Sequence, residues 1–92
     1  MKPSFSSGTS ASVTVGATST AVIAGSLALN KLIITNISDE NVFLSVGADA
    51  VQNKGIALVA SGGQIIFEHG EAKGPINAIC ASGSKTISVF YA

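Results

Sequence analysis

The chain has 92 residues, of which 47% are hydrophobic and only 11% are charged, and five basic and five acidic side chains give a formal net charge of zero. The cations are scattered, so they cannot form the clustered positive surface that binds nucleic-acid phosphates or an anionic membrane. The apolar content is too high for an intrinsically disordered chain. The composition therefore argues against nucleic-acid and membrane partners and predicts one small globular domain.

The cysteine count and the length limit how such a domain is stabilised. Cys80 is the only cysteine, which excludes an intrachain disulfide and a multi-thiolate metal site within one chain. We expect this residue to be a small buried side chain on a strand. A chain this short buries only about 60 to 65% of its unfolded surface. Association with other chains is therefore expected to contribute to its stability.

Residues 1–20 differ in composition from the rest and are rich in Ser, Thr, Gly and Ala, with Phe5 as the one aromatic and a short alternation at Val13 and Val15. This composition predicts an extended N-terminal arm. Either a neighbouring surface or pairing with its own domain could order it. The apolar stretch 21–29 is about half as long as a bilayer span requires, so neither a transmembrane helix nor a secretory signal is expected.

Residues 21–92 are predicted to form a single antiparallel β domain. Short runs rich in β-branched residues are separated by Gly, Asn, Asp and Ser about every eight to twelve residues, which is typical of all-β proteins. We expect a small β-sandwich or jelly roll, and a small barrel stays open as an alternative. The predicted strands are Ala21–Ala24, Lys31–Ile37, Asn41–Val46, Ile56–Val59, Gln64–His69, Ile76–Cys80 and Thr86–Tyr91.

Several predicted strands are apolar on both faces, as in the runs 32–34 and 65–67 and in the pair Val89 and Phe90. A two-sheet sandwich buries only its inner faces, so a loop, the arm or another molecule must cover the second face. We favour another molecule. The candidate residues for contact with another molecule or subunit are Pro3, Ser4, Phe5, Val13, Val15, Ile33, Ile66 and Phe90.

The densest polar cluster is Glu68, His69 and Glu71, which contains the only histidine. Adjacent strand residues point to opposite faces, so Glu68 and His69 diverge, and a metal site would need ligands from elsewhere. Cys80 and His69 could approach each other across strands, but Cys80 has an apolar context unsuited to a nucleophile. We therefore expect no catalytic residues, metal or cofactor, and no enzyme activity.

The order of strands and turns from Lys31 to Ala92 goes beyond composition. Its most specific parts are the blocks GIALVASGG, residues 55–63, and GPINAICASG, residues 74–83. These blocks resemble a group of small β-structured virion proteins of tailed bacteriophages, which serve as head decoration (cement) proteins or as parts of head fibres. The resemblance implies a β scaffold and virion association, and it carries no catalytic residues.

We therefore expect a decoration protein that binds the outer surface of the assembled head and stabilises it. It would be made in the host cytoplasm and located on the virion, with the major capsid protein and further copies of itself as partners, most simply as a trimer on local threefold axes. One alternative is a head-fibre or tail-appendage domain that anchors a fibre or binds a receptor. Another is a β-rich interaction module that assembles by strand addition, as pilus subunits do.

Overall fold

Eight strands form two four-stranded antiparallel sheets in the computed structural model, which describes residues 8–23, 31–68 and 75–92. In chain order the strands are β1 (Thr9–Val15), β2 (Thr20–Ile23), β3 (Lys31–Asn36), β4 (Val42–Val46), β5 (Ile56–Leu58), β6 (Gln64–Glu68), β7 (Ile76–Cys80) and β8 (Lys85–Tyr91). The first sheet has the order β1-β8-β3-β6 and the second has the order β2-β7-β4-β5.

The pairing pattern identifies the kind of sandwich. Strand β1 pairs with β8, β2 with β7, β3 with β6 and β4 with β5, all antiparallel. These are the pairs of one long hairpin that is folded back on itself. The pairing of β3 with β8 and of β4 with β7 then joins the strand pairs into two sheets. This is the arrangement of a jelly roll. The predicted all-β sandwich is confirmed, and of the architectures left open the strand order selects the jelly roll.

The core lies between the two sheets and is built from alternating residues along most of the strands. In β3, for example, Leu32 and Ile34 are buried, whereas Ile33 between them is half-buried on the opposite face. The side chains of the core cluster, all at most 7% exposed, are Val15, Ile23, Leu32, Ile34, Val42, Leu44, Leu58, Ile76, Ala78, Cys80, Ile87 and Val89. Burial of these apolar groups is the main force that holds the sheets together.

Part of the predicted arm lies in the sandwich as strand β1. Val13 and Val15 point inward, and Val15 is fully buried in the core. The backbone just after β1 also contacts β7, because the Cys80 N–H donates a hydrogen bond to the Gly16 carbonyl at 3.0 Å. The alternation at Val13 and Val15 was the one sequence signal for this strand. Residues 16–19 then carry the chain from the first sheet to the second.

Asn36 is the buried polar residue among the described parts of the core. Its Nδ2 donates to the Glu40 carbonyl at 2.7 Å and to the Leu58 carbonyl at 2.8 Å. Its Oδ1 accepts from the Ser38 N–H at 3.0 Å and from the Ser38 hydroxyl at 2.6 Å. Because both ends of the amide are satisfied, its burial carries no unpaired group. Asn36 thereby fixes the β3–β4 turn and the end of β5 to each other.

Two glycines in the 55–63 block are required by close backbone contacts. Gly55 has a φ of +84°, and a Cβ there would collide with the Leu44 carbonyl oxygen. A Cβ at Gly63 would collide with the backbone of Val59. Glycine is the residue that permits both the positive φ and the close approach. This block therefore encodes the turns on either side of β5.

Candidate binding surface on the first sheet

Three of the predicted contact residues meet on the outer face of the first sheet. The strand register places Ile33 of β3 directly opposite Ile66 of β6 on one side and opposite Phe90 of β8 on the other. All three side chains point away from the core, because their neighbours along each strand point inward. We call Phe90, Ile33 and Ile66 the apolar row. It runs across three adjacent strands, and Ser10 of β1 continues it as a polar residue opposite Phe90.

Polar side chains flank the apolar row on both sides. On one side the Lys31 ammonium lies 3.5 Å from the Glu68 carboxylate, across the β3–β6 pair. On the other side Gln64 donates from its amide to the Thr35 hydroxyl at 2.8 Å. These polar groups are largely paired with each other within the face. The row is therefore an apolar strip with a polar rim, which is the general layout of protein interfaces.

The apolar row is open to solvent mainly at its β6 end. Ile66 is 46% exposed, whereas Ile33 and Phe90 are half-buried. The Phe90 ring occupies the space where a Cβ of residue 8 would lie, so Gly8 lets the chain pass beside the ring. Gly8, where the described chain begins, therefore lies next to the Phe90 end of the row.

The outer face of the second sheet, in contrast, is partly covered by the chain itself. The segment between β4 and β5, residues 47–55, is fixed across β7 by the Asn77 amide donating to the Ala48 carbonyl at 2.7 Å and the Gln52 amide donating to the Cys80 carbonyl at 2.7 Å. Ile79 faces outward there, yet it is only 7% exposed. The strands that the sequence predicted to need an outside cover, β3, β6 and β8, all belong to the first sheet, so this cover does not bear on that expectation. Little in the amino-acid pattern indicated this cover, since its anchors are amides and not an apolar run.

The remaining predicted contact residues are not part of the apolar row. Val15 is fully buried between the sheets, so it is corrected from a contact residue to a core residue. Val13 is half-buried and packs against the core from the inner face of β1. Pro3, Ser4 and Phe5 lie outside the described residues. The structure thus brings together Ile33, Ile66 and Phe90 and separates them from the two valines.

A shallow depression of about 480 Å³ lies on the outer side of the second sheet, lined by Glu40, Asn41, Phe43, Gln52, Asn53 and Ala81. Its one acidic group is already engaged, because both carboxylate oxygens of Glu40 accept hydrogen bonds from Ser82, one from the N–H at 3.1 Å and one from the hydroxyl. These hydrogen bonds lower the pKa of Glu40 below its ordinary value. A carboxylate held ionised in this way is a structural acceptor and is poorly placed as a general base.

An ion pair next to this depression joins the same two turns as the contact between Glu40 and Ser82, namely the β3–β4 turn and the β7–β8 turn. The Lys85 ammonium lies 2.7 Å from the Asp39 carboxylate. Hydrogen bonding and charge attraction between them lower the pKa of Asp39 and raise the pKa of Lys85. Together with the contact between Glu40 and Ser82, this pair connects the β3–β4 turn to the β7–β8 turn.

The described residues show little that could support chemistry. Residues 8–23, 31–68 and 75–92 contain no group of three or more His, Cys, Asp or Glu side chains close enough to hold a metal ion. Within the same ranges no helix is long and apolar enough to cross a membrane. Cys80 is a free, buried cysteine, as expected from its sequence context. His69 and Glu71, part of the polar cluster in the sequence, lie outside the described residues.

Comparisons with known proteins give one distant structural match. No protein-family profile matches the chain, and no curated protein matches it. Among solved structures, the chain is similar to a protein whose structure carries the description "Bacillus endospore appendages form a novel family of disulfide-linked pili". The two share 13% sequence identity, with a TM-score of 0.46. The match covers 92% of this chain and 84% of the other. Both are small β proteins, and a likeness this distant adds nothing about function.

Proposed function

We propose that this chain is a non-enzymatic structural protein of a bacteriophage particle, which decorates the outer surface of the assembled head and stabilises it. The observation that carries the proposal is the apolar row on the outer face of the first sheet, where Ile33, Ile66 and Phe90 stand side by side within a polar rim. The resemblance of the 55–63 and 74–83 blocks to phage virion proteins supplies the biological setting. The major capsid protein is the proposed partner.

The proposed mechanism is differential binding. A protein that binds the assembled shell and not its dissociated subunits shifts the equilibrium toward the shell, by an amount that depends on free concentration and affinity. Many copies on one particle add their contributions. Each copy then needs only an ordinary interface, on the order of 1,200 to 2,000 Å² in total. The apolar row would be the centre of that interface and the surrounding polar groups its rim.

The copy number of this chain in purified particles tests the proposal, measured by quantitative mass spectrometry against the major coat protein. We expect copies on the order of hundreds, because a closed symmetric shell repeats each site many times. A handful of copies would instead support the head-fibre or tail-appendage alternative. Absence from particles would overturn virion association and leave the interaction module.

The oligomeric state of the protein is a separate prediction, and the sequence-based expectation is a trimer. Native mass spectrometry of the purified protein and of protein released from particles measures it directly.

A further inference from the structure

Strand β6 forms an edge of the first sheet with little to discourage pairing. Among the described strands its neighbour is β3 on one side. The central residues of β6, Ile65, Ile66 and Phe67, include no proline and no charge, and Glu68 at its end is ion-paired with Lys31. Edge strands of monomeric proteins are commonly protected by charges, prolines or bulges, because their backbone groups can pair with another chain.

The β6 edge is also apolar on both faces and incompletely covered. Ile66 is 46% exposed on the outer face. Ile65 and Phe67 point inward and pack against the core, yet they are only partly buried. Their cross-strand partners in β3, Ile34 and Leu32, are 0% and 1% exposed. A partner for this edge must therefore supply a strand with apolar side chains on both faces.

A second copy of β6 meets these requirements. Placed antiparallel about a twofold axis through Ile66, each Ile66 faces the partner's Ile66 on the outer side. In the same register Ile65 faces the partner's Phe67 on the inner side, and Gln64 faces the partner's Glu68. Within residues 64–68 no like charges oppose each other in this register, and an amide stands opposite a carboxylate.

We propose that two copies of this chain associate through their β6 edges in this register, forming a continuous eight-stranded sheet. The apolar row then doubles, because Phe90, Ile33 and Ile66 of one copy continue into the same residues of the other. The interface is isologous, so it closes as a C₂ dimer and leaves no further β6 edge free.

The other edge of the first sheet fits this role less well. In β1 the residues Ser10, Ala11 and Ser12 are exposed, and two of them are polar. A head-to-tail arrangement, as a trimer requires, would place the apolar β6 edge against this polar strand. The edges therefore favour a dimer over the trimer expected from the sequence. The inference concerns the isolated protein, and it stands or fails separately from the proposed virion function.

Sedimentation velocity over a range of protein concentrations tests the dimer. Ile66→Lys places two like charges opposite each other at the axis, and we expect its dimer dissociation constant to rise at least tenfold. Ser12→Lys is the matched control, an equal charge on the same face at the β1 edge, and it should leave the dimer intact. A wild-type protein that is monomeric up to millimolar concentration, or trimeric, would overturn the inference, as would dissociation by Ser12→Lys and not by Ile66→Lys.

Cysteine cross-linking tests the register. Directly opposed residues of antiparallel strands have Cα atoms about 4.5 to 5.5 Å apart, which suits a disulfide. Ile66→Cys should therefore form a covalent dimer under mild oxidation. Gln64→Cys alone should not, but mixed with Glu68→Cys it should. Wild-type protein is the background control, since its Cys80 is buried. Cross-linking of Gln64→Cys to itself would contradict this register.

Discussion

At the scale of single residues, Asn36 is where the fold depends most on one side chain. It is fully buried, and its amide makes hydrogen bonds to three backbone carbonyls while its oxygen accepts two hydrogen bonds from Ser38. A hydrogen bond contributes about 1 kcal/mol net, but a buried group left without a partner costs about 1 to 3 kcal/mol. Removing the amide would leave several backbone groups without a hydrogen-bond partner.

We therefore expect Asn36→Leu to lower the free energy of unfolding by about 3 kcal/mol or more, because apolar Leu resembles Asn in size but supplies none of its hydrogen bonds. Urea denaturation followed by circular dichroism measures the change. Asn77→Ala is the control, since its amide makes one exposed hydrogen bond to Ala48 and should cost less than about 1 kcal/mol. Equal losses in the two variants would contradict the role assigned to Asn36.

At the scale of elements, the β3–β4 and β7–β8 turns are joined by polar contacts of two acidic side chains. Asp39 pairs with Lys85, and Glu40 accepts hydrogen bonds from Ser82. The pKa values of the two carboxyls are lowered from ordinary values of 3.8 and 4.5, the first chiefly by the Lys85 hydrogen bond and the second by Ser82. The contacts therefore favour the folded state whenever the carboxyls are ionised.

The sign of the pH dependence follows from these directions. Because the folded protein binds these protons less readily than the unfolded chain, the stabilisation is complete above the ordinary carboxyl pKa values and is lost as the pH falls through and below them. The raised pKa of Lys85 adds stabilisation that is complete below 10.5 and is lost at higher pH. We expect Asp39→Asn/Glu40→Gln to flatten the acid limb of a plot of unfolding midpoint against pH between 2 and 6. An unchanged acid limb would show that other groups control acid unfolding.

Strand β1 is part of the folded sandwich although its composition is typical of a flexible arm. We expect deletion of residues 1–7 to leave the sandwich folded, because the eight strands and the core cluster are built from residues 9–91. Deletion of residues 1–15 removes β1 with its buried Val15 and uncovers the edge of β8. The loss should be at least about 3 kcal/mol, from one buried side chain and the strand pairing. Thermal unfolding of the two truncated proteins distinguishes the cases, and equal stability would mean that β1 does not hold the core.

The sequence predicted the strands after residue 20 closely, because alternating β-branched residues and turn residues are local signals. For residues 1–20 it predicted an extended arm and left open whether the arm pairs with its own domain, because the Ser, Thr and Ala residues of β1 resemble a flexible segment and only tertiary pairing with β8 makes them a strand. The sequence did indicate that the strands carrying the candidate surface are apolar on both faces. That Ile33, Ile66 and Phe90 share one row depends on the register of three strands distant in sequence, which no local pattern contains.

At the scale of the whole molecule, the two outer faces of the jelly roll differ. Residues 47–55 of the chain itself cover part of the second sheet beside β7, whereas on the first sheet Ile66 of the apolar row is 46% exposed. A molecule whose two outer faces differ in this way binds a surface preferentially through one of them. The proposed decoration function would use the first sheet toward the shell.

Binding of this protein to phage heads that lack it should therefore depend on the apolar row. We expect Ile33→Thr, which keeps a β-branched side chain, to weaken binding about tenfold, equivalent to about 1.4 kcal/mol. Ser88→Thr, on the same face one row away, should bind normally. Co-sedimentation with heads that lack the protein measures the affinity, and the heat resistance of the reconstituted heads should follow it. Full binding by Ile33→Thr would move the contact surface elsewhere.

Because Cys80 is buried, the rate at which its thiol is labelled measures how often the sandwich opens. The thiol is fully buried on β7, and its sulfur lies 3.4 Å from the Val15 carbonyl oxygen, between strands of both sheets. An alkylating reagent can reach it only when the sheets part, so the labelling rate in native buffer reports how often they do. Compared between free protein and protein on its partner, that rate would measure in seconds or hours how long a bound copy stays closed.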